Sequence, residues 1–301
     1  GLAWGPGGRE IWFTGASGGT ERGLWAVEPK GKTRSLLQLP GGAMLLDVNP
    51  QGEALLAHNQ NRLGIIFQGP GETPRELSWL NWSMLHSLSP DGKWIVFDEE
   101  AEREGPDYGI YLRGTDGAPA VHLGEGVVPS LSPDRKWVLA GRHLPEPTLT
   151  LLPTGPGSAQ DLPLKGLTAF HQILWLPDGR RFLLFASEKG QGPKLYLQSL
   201  ADKQLVPIQG PRPEMEAGGL ISPDGRWVAP QGEKGLPLRL DLDHPKEPPQ
   251  PIPGLEKEEF VAQWTQDPEW VFVTKRGLLP QPMVRLRLRD DGLLDLLPPV
   301  R

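Results

Sequence analysis

Paired tryptophans, a run of acids and a few histidines are the side chains here with chemistry to offer. Trp79 and Trp82 lie three apart in Leu77-Ser78-Trp79-Leu80-Asn81-Trp82-Ser83. Two aromatics on a connecting segment suit a stacking or partner-binding surface, with packing between layers as the alternative for one of them. His86 and His171 carry imidazoles, but zinc and iron sites need three or four converging ligands, and no carboxylate cluster accompanies these two. The plainer reading is a buried, hydrogen-bonded histidine. The acidic run Asp98 to Asp107 lacks the Asp/Asn alternation and terminal Glu spacing of a calcium loop and reads as a charged surface excursion. Calcium at a few of its carboxylates is the alternative. No Ser/His/Asp set, phosphate loop or His-Glu-x-x-His motif supports catalysis, and no cofactor is expected.

The elements that must position these groups follow from a repeat. Ser89-Pro90-Asp91-Gly92-Lys93-Trp94-Ile95-Val96-Phe97 joins a tight turn to an apolar run. Pro pre-sets the first turn φ, Asp tolerates the next position, and Gly accepts the left-handed conformation that closes a short hairpin. The run Trp94 to Phe97 shows no in/out alternation, so both its faces should be buried. Variants start near residues 5, 49, 89, 132, 176, 222 and 265, in steps of 40 to 46. That period is the signature of four-stranded propeller blades. The expected fold is therefore all-β, a seven-bladed β-propeller of four-stranded antiparallel blades in one domain. The blades fall at approximately 1–40, 41–81, 82–124, 125–166, 167–210, 211–254 and 255–301.

Within the third unit the expected strands are Met84 to Leu88, Trp94 to Phe97, Gly109 to Leu112 and Ala120 to Leu123. The fifth gives Phe170 to Trp175, Phe182 to Phe185, Lys194 to Leu197 and Gln204 to Ile208. Core candidates of the first unit are Trp12, Trp25 and Leu36-Leu37, and no segment suggests a long helix. One copy breaks the turn rule: Arg135 replaces Gly, at a left-handed cost of roughly 1–2 kcal/mol. The last unit reads as complete through Leu293 to Leu297, so ring closure is expected by packing of the first blade on the seventh.

Composition narrows the function classes. The formal charge is −6 with no basic stripe, which argues against nucleic acid as a partner. Thirty-eight glycines and 34 prolines punctuate apolar runs at regular spacing and so mark turns rather than disorder. The absence of cysteine excludes disulfides and thiolate chemistry but leaves the compartment open. No apolar stretch of about 18 residues and no signal-peptide pattern is present, so this stretch of chain is not expected to insert into a membrane. It opens at Gly1-Leu2-Ala3-Trp4, inside what should be the first inner strand, and reads as an excised fragment.

The repeated Ser-Pro-Asp-Gly-Lys/Arg-Trp-Val pattern resembles the TolB-type, WD40-like PD40 propeller repeat along the whole chain. More narrowly, Leu77 to Ser83, Phe97-Asp98-Glu99, Gly105-Pro106, Tyr111-Leu112-Arg113 and Leu123-Gly124-Glu125-Gly126 are similar to the propeller attached to bacterial eukaryotic-like serine/threonine kinases. That resemblance implies an extracytoplasmic, periplasmic or cell-surface sensor, in a parent chain carrying a transmembrane helix and a kinase domain. Kinase motifs are absent from these 301 residues, so catalysis does not carry over. TolB-like propellers also cap prolyl-oligopeptidase-type hydrolases, whose nucleophile sits on a separate α/β domain for which the chain lacks the length.

In a propeller, the connections between blades and the loops between second and third strands collect on one face, where ligands bind. That places Trp79, Trp82, Arg103, Tyr108, Glu125, Arg142, His143, His171, Glu188, Arg212, Glu214 and Glu216 on a ligand- or partner-binding face. The bland alternative for each is an ordinary solvated loop residue. The sequence reading is a non-catalytic sensor or interaction module for an unidentified protein or small molecule. A metal-dependent lactonase-like propeller enzyme and a TolB-like periplasmic scaffold are the competing readings.

Overall fold

The computed structural model describes residues 1–16, 22–39, 42–59, 62–99, 107–143, 146–162, 164, 166–201, 205–208, 221–230, 235–267, 269–275, 283–288 and 294–296. Among them there are strands, turns and one short 3-10 segment, with no α-helix. The repeated turn is what makes the strands. Ser89 Oγ donates to Asp91 Oδ1 at 2.6 Å and accepts the Trp94 N–H at 2.9 Å, while the Gly92 N–H closes on the Ser89 carbonyl at 2.8 Å. Ser132/Asp134/Trp137 and Ser222/Asp224/Trp227 repeat that arrangement. Hydrogen bonding from Ser132 is the largest cause holding the Asp134 carboxyl below its ordinary range. Gly92, Gly179 and Gly225 take φ of 68°, 65° and 73°, and Arg135 takes 60°, as its place in the repeat requires.

The chain divides into two compact units, 1–129 with 142–146 and 152–159, and 130–141 with 147–151 and 160–301. In the first, β1 (Leu2–Trp4), β2 (Ile11–Gly15), β3 (Gly23–Val27) and β4 (Thr33–Leu37) form an antiparallel sheet in that order. Next, β5 (Gly42–Val48) pairs β6 (Ala54–Asn59), and β7 (Ile66–Phe67) pairs β8 (Arg75–Glu76), as separate hairpins rather than one four-stranded sheet. Then come β9 (Ser83–Leu88), β10 (Trp94–Glu99), β11 (Tyr108–Gly114) and β12 (Val121–Leu131), hydrogen-bonded in order.

In the second unit the end of β12 is followed in order by β13 (Trp137–Arg142), β14 (Thr148–Pro153) and β15 (Gln160–Leu162). A four-stranded sheet of β16 (Leu167–Trp175), β17 (Arg181–Glu188), β18 (Lys194–Ser199) and β19 (Val206–Pro207) follows. Three strands, β20 (Trp227–Val228), β21 (Leu238–Asp241) and β22 (Gln250–Pro251), make the next sheet. The last comprises β23 (Glu259–Trp264), β24 (Trp270–Lys275), β25 (Met283–Leu288) and β26 (Leu294–Leu296).

Consecutive sheets bury their facing sides, which is why the middle strands read as unbroken apolar runs. Leu176, Leu183, Leu195 and Leu197 of one sheet pack with Val228, Leu240 and Leu242 of the next. Ala229 and Ile252 pack in turn with Val261, Val271, Val273 and Leu286. In the first unit Ile65 and Leu77 pack on Ile95, Phe97 and Tyr111.

Three sequence expectations are corrected. Trp94 is 36% exposed whereas Ile95, Val96 and Phe97 are buried, because the first residue after the turn lies at the sheet's end. In the first unit Trp12 and Trp25 are only half-buried, and Leu37 is exposed because β4 is the edge strand of its sheet; Leu24 and Ala26 of β3 are the buried residues instead. Asp98 and Glu99 are not a surface excursion: β10 runs two residues past Phe97 and buries both.

Candidate functional site

The ends of β9, β10 and β11 and the middle of β12 come together in the first unit through one cross-strand row. Ser83 pairs with Glu99, Glu99 with Gly109 and Gly109 with Glu125. Beyond that row lie the connection into β9 with Trp79 and Trp82, the start of β11 with Tyr108, and Glu125 of β12. Arg142 and His143 at the end of β13 join through Asp107. Its carboxylate accepts the His143 N–H at 3.0 and 3.2 Å and lies 3.0 Å from Nδ1. Trp79, Trp82, Tyr108, Arg142 and His143 thus lie at or beside the ends of adjacent strands, with Glu125 in the middle of β12.

The loop 77–83 is braced from both sides. Glu99, 1% exposed, accepts the N–H groups of Leu80 at 3.1 Å and Trp82 at 2.7 Å and the Ser83 hydroxyl at 2.6 Å. Ser83 Oγ in turn accepts the Trp79 N–H at 3.0 Å. Arg113 of β11 donates from Nη1 to the carbonyls of Leu77 and Ser78 at 2.8 and 3.0 Å, and from Nε to Ala118 at 2.8 Å. Its guanidinium sits 5.8 Å from the Trp79 ring centre, and Tyr111 lies 6.5 Å away, stacked in turn on Phe97. The segment 63–65 pairs along the other side, through Leu63, Ile65, Ser78, Asn81 and Ser83. Trp79 is left 41% exposed, while Trp82 is half-buried with its Nε1 buried, so packing takes the second tryptophan.

The histidines prove to have partners. His86 on β9 sits at a bulge and places Nε2 2.8 Å from Asp98 Oδ2. Asp98 is the carboxylate that spacing alone did not reveal, since it arrives from the neighbouring strand. His171 on β16 is exposed rather than buried, since it lies on the solvent side of the strand, and it places Nε2 2.8 Å from Ser187 Oγ. It and Glu188 belong to the second unit, where Glu188 accepts the Tyr196 hydroxyl at 3.0 Å. Burial first, and then this bond, pushes the Tyr196 phenol up to about 12. Arg103, Arg212, Glu214 and Glu216 lie outside the described residues, as does 100–106 of the acidic run. Among the described residues no group of three or more His, Cys, Asp or Glu is placed to hold a metal ion, and no helix is long and apolar enough to cross a membrane.

Sequence reasoning did not place Asp98, Glu99, Asp107 or Arg113 in the site, although Phe97-Asp98-Glu99 and Tyr111-Leu112-Arg113 are among the resemblance motifs and Asp107 ends the acidic run. For Asp98 and Glu99 a further signal was the direct run-on of acids from an apolar strand. A Gly-x-Ser-x-Gly pattern also occurs, at Gly15-Ala16-Ser17-Gly18-Gly19. It starts at the last residue of β2, and residues 17 to 19 lie outside the described residues.

No family model matches the chain, and no curated protein does. Solved structures match it in fold. A putative TolB from Agrobacterium tumefaciens is 16% identical with a TM-score of 0.50, over 74% of this chain and 83% of that one. A puromycin-hydrolyzing peptidase of Mycobacterium tuberculosis is 15% identical with a TM-score of 0.54, over 99% of this chain and 53% of that one. The chain spans about half the length of that peptidase. An oligogalacturonate lyase in complex with manganese is 10% identical with a TM-score of 0.52, over 94% and 87%. Likeness at this identity defines the fold: antiparallel, all-β and of the TolB-like β-propeller type.

Proposed function

We infer that the chain is a seven-bladed β-propeller acting as a non-catalytic binding module, whose recognition face is the rim carrying Trp79, Tyr108, Glu125, Arg142 and His143. The observation that supports this best is the loop 77–83. Its backbone is tied down by Glu99 and Arg113 while the Trp79 ring is left 41% exposed. An aromatic held rigid before it meets a partner loses little entropy on binding, which is how such residues come to dominate interfaces. Following the kinase-propeller resemblance, the partner is an extracytoplasmic protein or small molecule, and the parent chain is a membrane serine/threonine kinase.

The test is made on the full-length parent. Protease accessibility on intact cells should place this domain outside the membrane, and W79A should abolish the response of kinase autophosphorylation to the cell-envelope fraction that stimulates the wild type. A parent with no membrane segment or kinase domain, or a W79A variant that responds as the wild type does, would overturn the reading. A second reading, a propeller hydrolase or lyase, is favoured by the Asp107–His143 pair on the same rim. Turnover that H143A removes while W79A leaves it intact would establish that alternative.

A further inference from the structure

We propose that Glu99 is a positioning residue: its buried carboxylate serves the display of Trp79 rather than the stability of the sheet. This deepens the rim reading by naming what orients it. Two of its three donors, the Leu80 and Trp82 N–H groups, belong to one short loop, and the third, the Ser83 hydroxyl, stands where that loop enters β9 and passes the hold on to the Trp79 N–H. The carbonyls at the loop's start are held separately, by Arg113 on the next strand. Acid and base therefore divide the loop's backbone between them, the acid taking donors and the base taking acceptors.

Core packing does not call for such a group. Ile95, Val96 and Phe97 earlier on the strand are fully buried apolar residues, the adjacent buried Asp98 has His86 as its own partner, and an acid taken out of water is expensive unless its oxygens are matched. Among the described residues they are matched by the loop's Leu80 and Trp82 N–H groups and by Ser83 at the loop's junction with β9. Buried charges commonly lose to an apolar side chain of similar volume in stability, and their best-attested use is to select one conformation. At Glu99 the selected conformation is that of the segment bearing the exposed tryptophan. The loop N–H groups form a cradle that an anion fills, and the chain supplies that anion itself.

Amide hydrogen exchange on the whole chain tests this without any ligand. In E99Q the Leu80 and Trp82 amides should exchange at least about tenfold faster, while Ile95, Phe97 and Leu112 change by less than about twofold. E99L, which cannot accept a hydrogen bond, should show the same local acceleration with the urea midpoint equal to or above that of the wild type. Acrylamide quenching of the fluorescence component that W79F removes should rise in both variants. Unchanged exchange at Leu80 and Trp82, or exchange rising equally throughout β10 and β11, would overturn the proposal. If neither Glu99 variant folds, S83A carries the test: its Trp79 amide should exchange faster, and an unchanged rate would count against the clamp. A W79A variant that still responds would remove the binding reading and leave the exchange result standing.

Discussion

Arg135 offers a direct measurement of what the repeated turn costs when its glycine is missing. Its φ is 60°, matching Gly92 at 68° and Gly179 at 65° in sister turns. A side chain in that region costs roughly 1–2 kcal/mol. Glycine loses more freedom on folding, about 0.5–1 kcal/mol. The difference favours glycine by about 0.5–1 kcal/mol. The exposed arginine also makes surface interactions worth about 0–1 kcal/mol, so R135A is the proper reference for R135G. Gly92 supplies the converse, because a Cβ built there meets nothing within 4 Å, and G92A should cost about the same 0.5–1 kcal/mol through backbone strain alone. At Gly225 the Cβ would come within 3.1 Å of Pro177 Cδ, so G225A should cost more. Urea unfolding followed by tryptophan fluorescence, at unchanged slope, reads all four. R135G should unfold at higher urea than R135A, and G92A at lower urea than the wild type. Equal midpoints for R135A and R135G would refute the strain argument.

Two further outcomes follow from burial and charge. F97A should lose about 3–5 kcal/mol, since Phe97 is fully buried and stacked on Tyr111, whereas W94A should lose clearly less, about 1–2 kcal/mol, because Trp94 is 36% exposed; comparable losses in urea titrations would show Trp94 to be core after all. Tyr196, pushed up to about 12 from 10.0, holds its proton longer in the folded chain than in the unfolded one. Its contribution to stability is therefore complete below pH 10, falls between 10 and about 12, and is lost above. Phenolate absorbance should show a late-titrating step that Y196F removes and E188Q moves to lower pH; a step surviving Y196F would contradict the assignment.

How much of the site was legible depends on where each residue's partner comes from. Trp79, Tyr108, Arg142 and His143 could be placed at or beside strand ends because their distance from the repeated turn is written in the chain, whereas Glu125 falls in the middle of the long strand β12. Asp107 could not be joined to His143 that way, since 36 residues separate them and only neighbouring strand ends bring them together. Glu99 was misread for a related reason: acids following an apolar strand look like solvent-exposed loop until the donors on another segment are seen to neutralise them.

Local chemistry alone determined the turns, the strand positions and the antiparallel all-β character. A Pro-Asp-Gly turn and an apolar run act within a few residues of themselves, and even the left-handed Arg135 followed from its place in the repeat. Tertiary structure decided which tryptophan is displayed, which histidine meets a carboxylate and which acid is buried, because each depends on strands that meet only when sheets pair and stack. Hydrogen bonds and burial are short-ranged in space, and the sequence records only distance along the chain.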